Sequence, residues 1–314
     1  MVFILLFLIR NSLFMENFFE KLSSIFNKRV QFNISANNIT SYKTGGPIKV
    51  LVYPKDIEEL FFLFKLIKDK NLKFFICGRA TNILVSDFGF DGIFIKTDLF
   101  NNIQIDGNTI LVESGFLWDK MIEIAVLNGF KGLEKTSYIP GSVGGAIRMN
   151  AGAFGQETFD RLQRITVVDI KTVQILELSK SQINYGYRKV SGIEDYFILK
   201  GEFLFERGDV DELKKTRDEI IKKRFEKQPL EYPSAGSVFK RPPNDYASRL
   251  IEESGLKGFR VGGAMVSEKH AGFIINTGNA TSSDIYNIIN IIKEKVYQKT
   301  GIILELEQIL VGDF

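Results

Sequence analysis

One cysteine, one histidine and no long apolar run narrow what this 314-residue chain can do. Cys77 alone cannot form an internal disulfide or a Cys-cluster zinc site, and His270 alone excludes a multi-histidine centre, so no metal is expected. Cys77 ends the apolar run Phe74-Phe75-Ile76-Cys77 and reads as a small buried hydrophobe. An excess of one charge is lacking too. With 41 basic against 38 acidic residues the net charge is +3, too balanced for nucleic-acid binding by bulk electrostatics, so any anion site must be local. The apolar start Met1 to Ile9 is cut off by Arg10, far short of the roughly 20 residues that span a bilayer. Its charge follows the apolar stretch, and bulky Phe14 stands where a cleavage site needs small residues, which is not a signal-peptide order. Residues 1–14 read as a dispensable extension, with Met15 a candidate start and the cytoplasm the expected location, without a membrane partner.

The usual nucleotide signatures are also missing. Neither Gly-x-Gly-x-x-Gly after a strand nor Gly-x-x-x-x-Gly-Lys-Ser/Thr occurs, which argues against a Rossmann fold and a P-loop. What is present is an ordinary globular pattern, long enough for two or three domains. Asp56 and Glu59 form a capping pattern for a helix that runs to about Asn71. Short strands are predicted at 74–77, 93–95, 103–105 and 109–113, then a helix over 118–128 that stops at Gly129. Beyond the glycine-rich stretch 141–155, strands are predicted at 165–170, 173–178 and 196–205. A lysine-rich helix capped by Asp209 and Glu212 ends near Lys227, where a domain boundary is placed. Helices at 246–254 and 283–299, a strand at 272–276 and a strand-like run over 302–311 complete the reading.

Two glycine-bearing segments stand where backbone comes close to something: Gly78-Arg79-Ala80-Thr81-Asn82, and Ile139-Pro140-Gly141-Ser142-Val143-Gly144-Gly145-Ala146 continuing to Met149-Asn150-Ala151-Gly152-Ala153-Phe154-Gly155. Small residues expose N–H groups that can cradle phosphate oxygens. The first could equally be an ordinary turn. The second is some fifteen residues of mostly small side chains, a cost in backbone entropy that a packed ring system and pyrophosphate would offset.

The second segment, with Gly132-Leu133-Glu134 before it, resembles the flavin-binding signature of the UDP-N-acetylenolpyruvoylglucosamine reductase family. Thr44-Gly45-Gly46-Pro47, Thr81-Asn82-Ile83-Leu84-Val85-Ser86-Asp87, Ala235-Gly236-Ser237-Val238-Phe239-Lys240 and Gly255-Leu256-Lys257-Gly258 agree with that family in order, from about Ile39 to Val311. No insertion follows Tyr187-Arg188, as in the family's shorter type. The resemblance implies an α+β fold: an FAD-binding domain of the vanillyl-alcohol-oxidase type plus a smaller α+β substrate-binding domain. It places the FAD-binding region at 37–207 as two α/β subdomains, the substrate domain at 225–306, and a last strand, 307–314, returning to the N-terminal subdomain. FAD contacts are expected from Gly78, Arg79, Ala80, Thr81, Asn82, Gly141, Ser142, Gly144, Gly145, Asn150, Ala151 and Gly152.

The implied reaction passes a hydride from NADPH through FAD to the methylene end of an enolpyruvyl UDP-sugar, leaving charge beside the carboxylate. By resemblance Ser237 is the proton donor, Arg188 the carboxylate fork and Glu307 the catalytic carboxylate. Tyr187, Lys227 and Lys240 are expected at the substrate. Taken singly each has a plainer reading: Ser237 a turn residue, Arg188 a surface arginine between strands, Glu307 part of a half-solvated strand with Glu305, Lys227 a solvated helix end. His270 reads as structural. Ala80, Arg241 and Ile309 depart from the family pattern, which usually has glycine, asparagine and a basic residue there. A monomer is expected. A different flavin oxidoreductase of the same fold, acting on a hydroxy acid or sugar, and a non-catalytic nucleotide-sugar binder are the competing readings.

Overall fold

A computed structural model of the chain describes residues 18–314, and the expected extension 1–14 lies outside the described residues. Helix α1 covers 18–26. Helix α2, Ile57–Lys70, begins where Asp56 accepts a hydrogen bond from the Glu59 N–H and ends where Asn71 turns left-handed. Its Leu60, Leu63, Phe64 and Ile67 face is buried, at about 1.5–3 kcal/mol for each large apolar side chain. It packs with a four-stranded sheet in the order 30–35, 47–52, 90–96, 74–77, antiparallel at the first pair and parallel thereafter. The strands 30–35 and 47–52 were not anticipated. A short parallel pair joins Ile309–Val311 to Ile83–Val85, so the end of the chain lies beside the segment that follows Gly78-Arg79-Ala80-Thr81-Asn82.

A five-stranded antiparallel sheet, ordered 174–179, 162–169, 196–204, 109–113, 103–106, forms the second layer. Against it pack α3, Trp118–Leu127, and α4, Val143–Met149. No helix was predicted within the glycine-rich stretch, and α4 lies there. Ser142 caps it by accepting from the Gly145 N–H, Asn150 closes it in a left-handed conformation, and Val143 and Ile147 bury its inner face. Burial here overrides the poor helix propensity of two glycines. Helix α5, Val210–Lys227, leads to the last unit. There α6, Ala247–Glu253, and α7, Ser282–Thr300, cover a three-stranded sheet of 260–261, 264–266 and 274–276. Tyr42 and Leu84, from the first unit, enter that unit's core. The run 302–311 is regular strand only at 309–311, while residues 305–307 pair irregularly with 238–240. Among the described residues, no helix is long and apolar enough to cross a membrane and no acidic, histidine or cysteine group could hold a metal ion.

Candidate active site

The two glycine segments lie against each other. Thr81 Oγ1 donates to the Pro140 carbonyl at 3.0 Å. A Cβ on Gly78 would fall 2.2 Å from Ser142 Oγ, so Gly78 lets the two backbones meet. Four carbonyls of this pair are tied back into the protein: Gly78 O by Lys96 Nζ, Ala80 O by the Ser41 N–H, Pro140 O by Thr81, and Gly141 O by the Trp118 N–H. In a trans peptide the C=O and the next N–H point in opposite directions. Tying the carbonyls back therefore turns the N–H groups of Arg79, Thr81, Gly141 and Ser142 the other way, and none of the four has an acceptor among the described residues. The buried hydroxyls of Thr97 and Ser114 beside them also lack partners. The two buried hydroxyls call for a partner, the N–H groups of these largely half-buried segments are free for one, and a set of this kind fits a diphosphate. The pyrophosphate of the FAD that the resemblance implies has the chemistry to meet such a set.

Individual residues divide within the segments. Ala80 is buried at φ +55°, the conformation that favours glycine, so the departure costs backbone strain. Arg79 pairs with Asp98 at 3.0 Å. A Cβ on buried Gly144 would meet Ser114 Cβ at 2.8 Å, whereas one on exposed Gly145 meets nothing nearer than 3.5 Å. Only Gly145 thus leaves its face open to a ligand. Asn150 is committed inside the protein: its amide donates to Glu157 at 2.7 Å and to the Gly186 carbonyl at 3.0 Å, and accepts from the Phe159 N–H. Ala151 is half-buried, and Gly152 presents its carbonyl to Arg188.

Arg188 sits at the tip of the hairpin formed by Asn184–Gly186 and Lys189–Ser191, at φ +51°. A bulky residue in that conformation is strained, as functional positions often are. Its Nη2 donates to the Gly152 carbonyl at 2.6 Å and its Nη1 to that of Asn150 at 3.3 Å. Its Nε lies 2.9 Å from Glu307 Oε1, close enough for an ion pair though not aligned as a hydrogen bond. The two side chains are 19% and 14% exposed, so this is no surface arginine and no solvated strand. Burial pushes the Glu307 carboxyl up, against the opposing pull of Arg188 and Lys240. Glu307 is held by its backbone as well: its N–H donates to the Val238 carbonyl at 2.8 Å, and its carbonyl accepts from Asn82 at 3.3 Å. Ser237, next to Val238, is half-buried, and its hydroxyl has no partner among the described residues. The segment 78–82, the arginine hairpin and the serine segment thus converge on residue 307.

Around this centre, Tyr187 accepts from the Arg241 N–H at 3.4 Å, linking the hairpin to the last unit. Arg241 itself lies 4.5 Å from the Tyr246 ring. Lys240 pairs with exposed Glu305 at 2.5 Å, and Lys227 is exposed at the end of α5. Ile309, where a basic residue was expected, is at the edge of the short parallel pair. His270 accepts from the Gly272 N–H at 3.1 Å, and burial lowers its pKa, in keeping with a structural histidine. Sequence reasoning missed Lys96, which looks like a solvated strand end. It missed Arg224 too, which is 6% exposed, donates to the Ser137 carbonyl at 2.8 Å, keeps Nη2 unspent and is lowered by burial to about 10.

The chain's likeness to known proteins agrees with this geometry. A family model described as the C-terminal domain of UDP-N-acetylenolpyruvoylglucosamine reductase matches residues 228–311, and one described as an FAD binding domain matches residues 48–179. The UDP-N-acetylenolpyruvoylglucosamine reductase of Clostridium tetani is 42% identical over 301 residues, covering 96% of this chain and 97% of its own. That of Caldanaerobacter subterraneus is 42% identical over 296 residues, covering 94% and 98%. The crystal structure of the Thermus caldophilus enzyme superposes with a TM-score of 0.78 at 29% identity, over 90% of this chain and 99% of that one. The chain therefore belongs to the UDP-N-acetylenolpyruvoylglucosamine reductase family, as an FAD- and NADPH-dependent oxidoreductase that reduces the enolpyruvyl UDP-sugar to UDP-N-acetylmuramate in peptidoglycan precursor synthesis.

Proposed function

We propose that Arg188, Glu307 and Ser237 carry the second half of this reduction, and that the segments 78–82 and 141–145 hold the flavin's pyrophosphate. FAD held there and reduced by NADPH would supply the hydride for the methylene carbon of the enol ether. The electron pair of the broken C=C bond moves to the carbon beside the carboxylate and spreads into that carboxylate. Arg188 meets this charge with a planar fork whose orientation the Asn150 and Gly152 carbonyls fix in advance. We assign a supporting positive charge to Arg224, whose Nη2 is unspent. Ser237 then gives its hydroxyl proton to the carbanionic carbon: an O–H bond breaks, a C–H bond forms, and the alkoxide left behind recovers its proton from water. Glu307, its pKa raised by burial, is suited to hold a proton or to orient Arg188 as charge develops. We assign Lys227, Lys240 and Tyr187 to the substrate, with Lys227 at its diphosphate.

The single observation that carries this reading is the half-buried Arg188–Glu307 pair, bonded on one side to the glycine run and on the other to the Ser237 segment. We assign 37–207 to the flavin, 225–306 to the substrate and 307–314 to a return strand, and the enzyme to the cytoplasm as a monomer. The test is anaerobic: NADPH should bleach the yellow protein, and the enolpyruvyl UDP-sugar should restore its colour. Colour returned only by oxygen would make it an oxidase and sink the reading.

A further inference from the structure

We infer that Tyr42 and Gln308 form a positioning pair that sets the turn carrying Ser237, and so governs proton delivery without touching the reacting atoms. This rests on Ser237 being the proton donor. Tyr42 is fully buried, and its hydroxyl donates to Gln308 Oε1 at 3.0 Å. Gln308, 3% exposed, donates through Nε2 to the Ala235 carbonyl at 3.0 Å and the Gly236 carbonyl at 3.4 Å. A third anchor comes from Asn276, whose N–H donates to the Pro233 carbonyl at 2.9 Å and whose Nδ2 donates to the Tyr42 carbonyl at 2.9 Å.

The turn needs such anchors. Gly236 has φ +73°, and no heavy atom lies within 4 Å of where its Cβ would be, so packing does not hold the peak of the turn. Hydrogen bonds do. The Gly236 carbonyl belongs to the peptide that joins Gly236 to Ser237, and because that peptide is planar, fixing its oxygen fixes the Ser237 nitrogen. On the other side Val238 is locked by its N–H to Gly272 and its carbonyl to Glu307. Ser237 is therefore clamped between two fixed peptides while its own hydroxyl stays unspent. Burial pushes the Tyr42 phenol up, so it remains a donor throughout the working range.

The test compares Gln308→Met, Tyr42→Phe, the double variant and Ser237→Ala, each as holoenzyme, by rapid mixing of both half-reactions and by thermal unfolding. Gln308→Met should slow flavin reoxidation by the enolpyruvyl substrate by about 10–100-fold, since misplacement of a reacting group by about 1 Å can cost 10²-fold. Bleaching by NADPH should stay within about twofold, because it uses no proton from Ser237. Tyr42→Phe should show the same asymmetry at smaller size. The double variant removes the unmet Gln308 oxygen left by Tyr42→Phe but leaves the Ala235 carbonyl as unmet as Gln308→Met alone does, so it should match Gln308→Met in both melting temperature and reoxidation rate. Recovery of rate together with stability, or equal slowing of both half-reactions, would reduce the pair to a structural role. Normal reoxidation in Gln308→Met beside slow reoxidation in Ser237→Ala would overturn the inference alone. Normal reoxidation in Ser237→Ala would overturn the assignment of the serine, and the inference with it.

Discussion

Adding one methyl group at either of two adjacent glycines should have opposite consequences. At Gly144 a new Cβ would lie 2.8 Å from Ser114 Cβ and 3.2 Å from its carbonyl oxygen, at a fully buried residue. Overpacking of this kind costs about 1–3 kcal/mol, and the gain from replacing a helical glycine by alanine is only about 1 kcal/mol. Gly144→Ala should therefore destabilise the flavin-free protein by about 0–2 kcal/mol, a fall in melting temperature of up to roughly 8 °C at the 2–4 °C per kcal/mol of a domain of 150–250 residues. At Gly145 the nearest atom is Ser142 Oγ at 3.5 Å, ordinary contact on an open face. The propensity gain there is unopposed, so Gly145→Ala should stabilise the flavin-free protein by up to about 1 kcal/mol, yet weaken FAD binding because its methyl stands on the cofactor side. Thermal unfolding of the stripped proteins and FAD titration by quenching of flavin fluorescence read the two effects separately. Wild-type FAD affinity in Gly145→Ala would refute the placement of the cofactor against this face.

Other expectations follow from the same geometry. Lys96→Met releases the Gly78 carbonyl and with it the orientation of the Arg79 N–H. A hydrogen bond from a charged donor is worth about 1.5–3 kcal/mol, so the FAD dissociation constant should rise about tenfold or more. The stripped protein should lose stability as well, since Lys96 also pairs with Asp98 at 3.2 Å and both acceptors lose a charged donor, and unchanged FAD affinity would dismiss the role. Glu307 has a raised pKa in the folded state, so it binds its proton more tightly folded than unfolded. Its contribution to stability is fully present below the ordinary value of 4.5 and is lost as pH rises toward the raised one. Urea unfolding should show wild type losing stability relative to Glu307→Gln over that window, and parallel pH profiles would contradict the burial argument.

Local signals were the legible part of the fold. Asp56 and Asn71 bracket α2 as a cap and a left-handed stop, and Asp209 caps α5. The segments that meet at the site were legible as glycine patterns because close backbone approach requires glycine, at Gly78 for instance. Helix α4 was hidden because glycines mask the helical period while Val143 and Ile147 supply the stabilising burial only in three dimensions. Lys96 was hidden because a lysine at the end of a strand usually faces water, and here it turns inward to a carbonyl. Tyr42 and Gln308 are separated by 266 residues, and no local pattern signals such a pair. The roles of Ser237, Arg188 and Glu307 came from resemblance, because composition and period alone leave each an ordinary turn or strand residue.

The most direct test of the account is the Ser237→Ala holoenzyme, followed by rapid-mixing absorbance of the flavin with each substrate in turn. Reduction by NADPH should proceed at the wild-type rate. Reoxidation by the enolpyruvyl UDP-sugar should slow by about 10²–10⁴-fold, the contribution of a positioned general acid. Equal slowing of both steps, or of neither, would contradict proton delivery by Ser237 and return it to the role of a turn residue.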